Sequence, residues 1–157
     1  MNAFRIRPVK YPWPALFYLA AILFAFLVQR LMPMTLPDGR TLLLQGLGGL
    51  MILIGTYLVV WASIMLLGNR TPVLANRSSA RLVIAGPFRY TRNPIYLGYT
   101  LLTIGLGVYA DNFWIILTAI VAAVATHLYV IRKEEMHLLA RFGYEFERYC
   151  RRTRVWI

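Results

Sequence analysis

From Leu42 to Leu67 the chain runs for 26 residues without a charged side chain. A helix of that length is about 39 Å long, more than the roughly 30 Å hydrocarbon core of a bilayer. Such a run commits the chain to a membrane, with the helix tilted or one end at the interface. Pro14 to about Leu31 is a second apolar run, stopped by Pro33. Phe113 to Ile131 is a third, uncharged but containing His127. Ile95 to Tyr109 is apolar but short, and spans only with help from its polar ends. Composition agrees: 59% of the residues are hydrophobic, where a soluble domain is nearer half. Cys150 is the single cysteine, which excludes an intrachain disulfide.

The net charge of +11 is distributed unevenly. The first arm carries Arg5, Arg7 and Lys10 and no acid, and the 32–41 turn balances Arg40 against Asp38. The 68–94 loop holds Arg70, Arg77, Arg81, Arg89 and Arg92 with no acid, and the 110–112 turn has only Asp111. The C-terminal region is again basic. Alternating basic and neutral loops are what four crossings with both termini cytoplasmic require. The expectation is an all-α, integral-membrane protein with four transmembrane helices, a single domain over 1–157, in a bacterial inner membrane. The basic face reads as an orientation signal and a contact for anionic lipid headgroups, not as a nucleic-acid site. No cleavable signal peptide is expected, because a polar turn with Met and Pro, not a small-residue cleavage site, follows the first run.

The fourth run continues without Gly or Pro through Arg132 to Phe142, which predicts one long helix leaving the membrane near Arg132. Gly143 is its expected stop, followed by a short amphipathic helix over Tyr144 to Arg152 and an apolar tail, Val155-Trp156-Ile157. Gly46, Gly48 and Gly49 read as close helix packing rather than a phosphate cradle, since a dinucleotide fold needs a strand this chain lacks. Gly98, Gly105 and Gly107 in the short third helix permit two readings, tight packing or a lateral gap toward the cytoplasmic leaflet.

The chemistry-bearing residues lie in two places. Asn93-Pro94 is a helix start, with Asn as cap and Pro in the first turn. It points a positive helix end at the interface beside Arg89 and Arg92, which suits a carboxylate or phosphate. The alternative is a plain cap beside lipid-binding arginines. Glu134 and Glu135 sit just beyond the membrane end of the fourth helix, against the positive pattern there. They suit an ammonium, a sulfonium or a ribose hydroxyl, or else form an ordinary exposed helix face. Glu134-x-x-His137 resembles half of a carboxylate metal site, but two histidines cannot complete one, so no metal is expected. His127 is an ionisable group in an apolar run, a functional candidate or a histidine bonded to a neighbouring helix. Cys150 has no identifiable base beside it and reads as incidental.

Gly86-Pro87-Phe88-Arg89-Tyr90-Thr91-Arg92-Asn93-Pro94-Ile95-Tyr96-Leu97-Gly98, then a hydrophobic hairpin, then the segment from Lys133 to Ile157, resembles the isoprenylcysteine carboxyl methyltransferase family of membrane enzymes, a pattern shared with phospholipid N-methyltransferases. The resemblance covers roughly 72–157. It implies methyl transfer from S-adenosylmethionine to a lipid-soluble or small hydrophobic acceptor, in a cofactor pocket formed by the cytoplasmic loop and the C-terminal helices. Carried over, it places Gly86, Pro87, Tyr90, Asn93, Pro94, Tyr96 and Leu97 on one wall of the cofactor site. Glu134, Leu138 and Tyr149 lie on the other, with Arg92 and Glu135 as the catalytic pair. An acceptor entering by the gap would pass Tyr99, Leu102, His127 and Ile131. Asn93 stands where many members have His, and could replace only a hydrogen bond of that side chain.

S-adenosylmethionine carries a carboxylate, an ammonium and a sulfonium, so a pocket with both charge signs fits it. The methyl is already activated, so the protein has mainly to align the acceptor and exclude water. The competing readings are a membrane reductase using a nicotinamide cofactor on a sterol-like lipid, and a small non-catalytic membrane scaffold. Prenylcysteine carboxylate, a lipid amine and a small thiol all remain open as acceptors.

Overall fold

Apolar runs bounded by caps and prolines become helices, and their bounds follow the sequence closely. The computed structural model describes residues 13–37, 41–69 and 82–157. The arm with Arg5, Arg7 and Lys10, the Asp38-Gly39-Arg40 turn, and Arg70, Arg77 and Arg81 lie outside the described residues. The elements are α1 (Trp13–Leu31), α2 (Leu42–Gly68), α3 (Pro94–Tyr109), α4 (Phe113–Thr126), α5 (Arg132–Phe142) and α6 (Tyr144–Cys150). A 3-10 turn over Gly86–Arg89 precedes α3, and a π-helical turn over His127–Ile131 joins α4 to α5. The Thr41 hydroxyl accepts from the Leu44 amide at the start of α2, and the Asn112 side chain accepts from the Ile115 amide at the start of α4. Gly143, at φ 52°, ends α5 as expected from the left-handed preference of glycine.

Among the described residues three helices are long and apolar enough to cross a membrane: α1, α2 and the continuous helix Phe113–Phe142. α3 has 16 residues, about 24 Å at the ordinary helical rise, which falls short of the hydrocarbon core. Three of the four expected crossings are thus long enough on their own, and α3 is the shorter apolar helix that the sequence led one to expect.

α1 runs along α4, α2 along α3, and α3 against α4. At one end the backbone amide of Leu36 donates to Asp111 Oδ1 at 2.9 Å, and Trp114 Nε1 donates to the Met32 carbonyl at 2.8 Å. These bonds join the α1–α2 and α3–α4 turns, so the 86–93 loop and the C-terminal region share the opposite end. Ala25, Ala62, Ala119 and Ala122 are buried where the helices meet, beside larger side chains such as Tyr18 and Ile115, while many Leu, Ile and Phe side chains of α1 and α2 face outward. That is the arrangement of helices packed in lipid, where close backbone approach replaces the hydrophobic drive.

The α2–α3 contact shows this directly. A Cβ built on Gly55 would lie 2.7 Å from the Gly98 carbonyl oxygen, and one on Gly98 would lie 2.6 Å from Val59 Cγ2. Gly48 and Gly105 oppose each other in the same way, and a Cβ on Gly107 would meet Ile116 Cγ1 at 2.6 Å on α4. Gly98, Gly105 and Gly107 are thus packing positions, and no gap opens at them. Of the three glycines singled out near the start of α2, only Gly48 packs; a Cβ on Gly46 or Gly49 meets nothing within 4 Å. Gly55→Val should therefore push α2 off α3 and lower the thermal midpoint in detergent, overpacking costing about 1–3 kcal/mol. Gly49→Val should leave the midpoint in place. Equal midpoints for the two variants would show that the glycine contact does not hold the pair together.

Candidate functional site

The loop before α3 is built by an unusual backbone turn. Gly86 takes φ 62° as the first residue of the 3-10 turn, with the Met65 side chain of α2 above it, and Pro87 follows as the second. Pro87 and Pro94 are fully buried, so Gly86, Pro87 and Pro94 shape the loop rather than present polar groups. Tyr90 and Arg89 project outward from it.

Arg92 turns the other way. Its Nη2 lies 2.8 Å from Glu135 Oε1, with the two side chains 13% and 29% exposed. Its Nη1 donates to the Cys150 carbonyl at 3.3 Å. Its Nε is buried with no hydrogen-bond partner among the described residues. One turn into α3, the Tyr96 hydroxyl donates to both oxygens of Glu134, at 2.9 and 3.0 Å. The two adjacent carboxylates are thus in different states: Glu135 faces a cation, whereas Glu134 faces a neutral phenol. The sequence places Arg92 and Glu135 on separate walls; the structure closes them into a direct pair.

The C-terminal segment wraps the loop. The Tyr149 hydroxyl donates to the Phe88 carbonyl at 2.6 Å, and the Thr153 hydroxyl to the Arg89 carbonyl at 3.4 Å. The Thr91 hydroxyl and Asn93 Nδ2 both donate to the Val155 carbonyl, each at 3.1 Å. The Arg92 amide donates to the Arg154 carbonyl at 2.9 Å, within an isolated parallel bridge between Thr91 and Arg154. Asn93 makes no capping hydrogen bond to α3, contrary to its sequence reading as a cap. Its amide is taken by the tail instead. Burial raises the Tyr149 hydroxyl well above its ordinary range against the lowering pull of Arg92, so it remains a donor. Burial likewise raises the Cys150 thiol, more than Arg92 lowers it, which keeps the thiol protonated and unsuited to nucleophilic work.

Of the remaining candidates, Leu97 and Leu138 are half-buried on α3 and α5, and Leu102 is half-buried on α3. Tyr99 packs its ring at 5.8 Å from Tyr18 of α1, and Tyr18 shares a hydrogen bond with the Thr100 hydroxyl. Ile131 has no exposed surface, so an acceptor could reach it only by displacing its neighbours. His127 lies in the π-helical turn, its ring 6.4 Å from that of Trp156, with Nδ1 buried and without a hydrogen-bond partner among the described residues. Tyr18, Thr153 and the π turn escaped the sequence reading, which took Val155 and Trp156 only as an apolar tail. That turn holds one more residue than a regular helix, so it sets which way Glu134 and Glu135 point, a common use of such bulges. Among the described residues no group of three or more His, Cys, Asp or Glu side chains is placed to hold a metal ion.

The donor set fits S-adenosylmethionine on the structure's own terms. An orphaned guanidinium N–H and an acidic pair lie side by side, one partner for a carboxylate and one for positive charge. Comparison with known proteins bears on the same segment. The family model described as phospholipid methyltransferase matches residues 44–145. Methyl transfer from S-adenosylmethionine, the chemistry expected from the sequence, is the chemistry of that family. A relative, the nickel-cobalt-cadmium resistance protein NccN of Alcaligenes xylosoxydans xylosoxydans, is 39% identical over 82 residues, covering 51% of this chain and 37% of the relative. The similarity thus spans well under half of that protein's length. No solved structure matches the chain.

The Arg92–Glu135 contact is open to a double-mutant cycle. Arg92→Ala, Glu135→Gln and their combination, followed by reversible unfolding in detergent, should show a coupling energy of about 0.5–3 kcal/mol. A coupling indistinguishable from zero would mean that the two side chains do not meet.

Proposed function

The chain belongs to the phospholipid methyltransferase family, and we propose that it is an integral-membrane methyltransferase acting from S-adenosylmethionine on an acceptor with an apolar body. The observation that carries the reading is the Arg92–Glu135 pair beside the Tyr96–Glu134 pair at the membrane end of the bundle. When bound, the cofactor supplies a methyl group on a positively charged sulfur, activated for direct displacement. Arg92, through its free Nε, is the group for the cofactor's carboxylate. Glu134 and Glu135 provide the negative side, Glu134 held in orientation by the Tyr96 hydroxyl. Leu97 and Leu138 line the same region and exclude water, which sharpens these electrostatic contacts. The protein's task is alignment, and it needs no nucleophile of its own.

Kinship to the isoprenylcysteine carboxyl methyltransferases is the finer part of this reading. Their carboxylate acceptor, a lipid amine and a thiol all suit an entrance from the bilayer past Tyr99, Leu102 and His127. The family match favours methyl transfer over the nicotinamide-dependent reductase, and the paired charges leave the scaffold reading without a role for them. On this view α3, extended by the polar residues at its two ends, completes a fourth passage, with both termini cytoplasmic.

Purified protein incubated with tritiated S-adenosylmethionine and a panel of lipids, lipid amines and thiols should transfer label to an extractable acceptor. Arg92→Ala and Glu135→Gln should each weaken binding of S-adenosylhomocysteine, by about tenfold to a hundredfold, the equivalent of one charge-assisted hydrogen bond of about 1.5–3 kcal/mol. Calorimetric affinities equal to wild type in both variants would reject the site. For the topology, a reporter fused after Ile157 should read out as cytoplasmic; a periplasmic signal would reject four passages.

A further inference from the structure

The tail after α6 does more than end the chain. Its contacts fall within one short stretch of loop: Arg89, Thr91, Arg92 and Asn93 each bond to a residue of 153–155. Arg92 lies in neither the 3-10 turn nor α3, so neither helix dictates its backbone conformation. Its own amide is held by the Arg154 carbonyl, and the residues on either side of it converge on the Val155 carbonyl. One residue further, half-buried Trp156 lies against His127 in the π turn that leads into Glu134 and Glu135. Two neighbouring residues therefore touch both the loop that carries the cation and the turn that aims the carboxylates. The glycine contacts that pack α2 on α3 lie elsewhere and do not involve the tail.

We propose that Thr153–Trp156 is a strap that positions Arg92 against the Glu134–Glu135 turn, with Asn93 and Trp156 as its fastenings. The proposal rests on the reading of Arg92 as a ligand-holding group. It makes Asn93 a positioning residue whose side chain faces the tail, not the ligand. What position 93 needs is an N–H donor for the Val155 carbonyl, a requirement that a histidine ring N–H also meets. Leucine, close to Asn in shape, does not.

The test uses the full chain in detergent, with Asn93→Leu, Asn93→His and Trp156→Ala. Three quantities are read: hydrogen exchange over residues 88–93, the thermal midpoint, and affinity for S-adenosylhomocysteine. Asn93→Leu and Trp156→Ala should speed exchange about tenfold, as expected when a local opening becomes easier. They should weaken the ligand about tenfold with the midpoint unchanged, and Asn93→His should restore both. Unchanged exchange in both variants overturns the strap. Faster exchange with full affinity overturns its positioning role. A midpoint that falls together with affinity, without rescue by His, assigns the tail to stability alone and also overturns it. If the wild-type protein binds no S-adenosylhomocysteine, the methyltransferase reading fails separately. Exchange and the Arg92–Glu135 coupling then decide the strap, and a coupling that Asn93→Leu leaves unchanged counts against it.

Discussion

One guanidinium joins the parts of this molecule that chain order keeps apart. Arg92 stands just before α3, meets Glu135 on α5 and takes the carbonyl that ends α6. A largely buried cation is tolerable only with partners in place, and such a pair adds little net stability over an apolar replacement while fixing geometry strictly. α3 is locked to α2 by opposed glycines, and α5 continues α4 through the π turn. The Arg92–Glu135 contact therefore ties the start of α3 to α5 at the end of the bundle opposite the α3–α4 turn. Tyr96–Glu134 repeats the link one turn away with a neutral donor.

The helices were legible because lipid removes ambiguity. An uncharged run in a bilayer has to be helical to satisfy its own backbone, and Thr41, Asn112 and Gly143 mark boundaries through local bonds that any reader of the sequence can foresee. The arginine loop was legible as part of the basic pattern at one face, and the acidic pair as the exception to that pattern. What stayed hidden depended on partners far along the chain. Asn93 before Pro94 reads as a cap because that is its best local partner. In the fold the Val155 carbonyl, 62 residues on, outcompetes the helix. Whether a glycine packs depends on what lies opposite: Gly48 faces Gly105, while Gly49, one residue later, faces nothing within 4 Å. The π turn leaves no local signature in His127–Ile131, since those residues would suit a regular helix equally.

The residues shared with the family, 44–145, stop short of much that holds the site in shape. α1 lies outside them, yet Tyr18 hydrogen-bonds Thr100 and packs on Tyr99 at the floor of the α3–α4 face. The tail lies outside them too, yet it holds Arg92 and Asn93 by their backbone and side chains. The shared part thus carries the charged groups suited to a methyl donor, while the flanking parts set the walls around them. Tyr18 packs on α3 through Tyr99 and Thr100, and Trp156 on the π turn through His127, so changes in either reach the neighbours of the charged groups without touching the charges. On the proposed reading, the charged groups for the cofactor lie in the matched span 44–145, and the packing beside them draws on segments outside it.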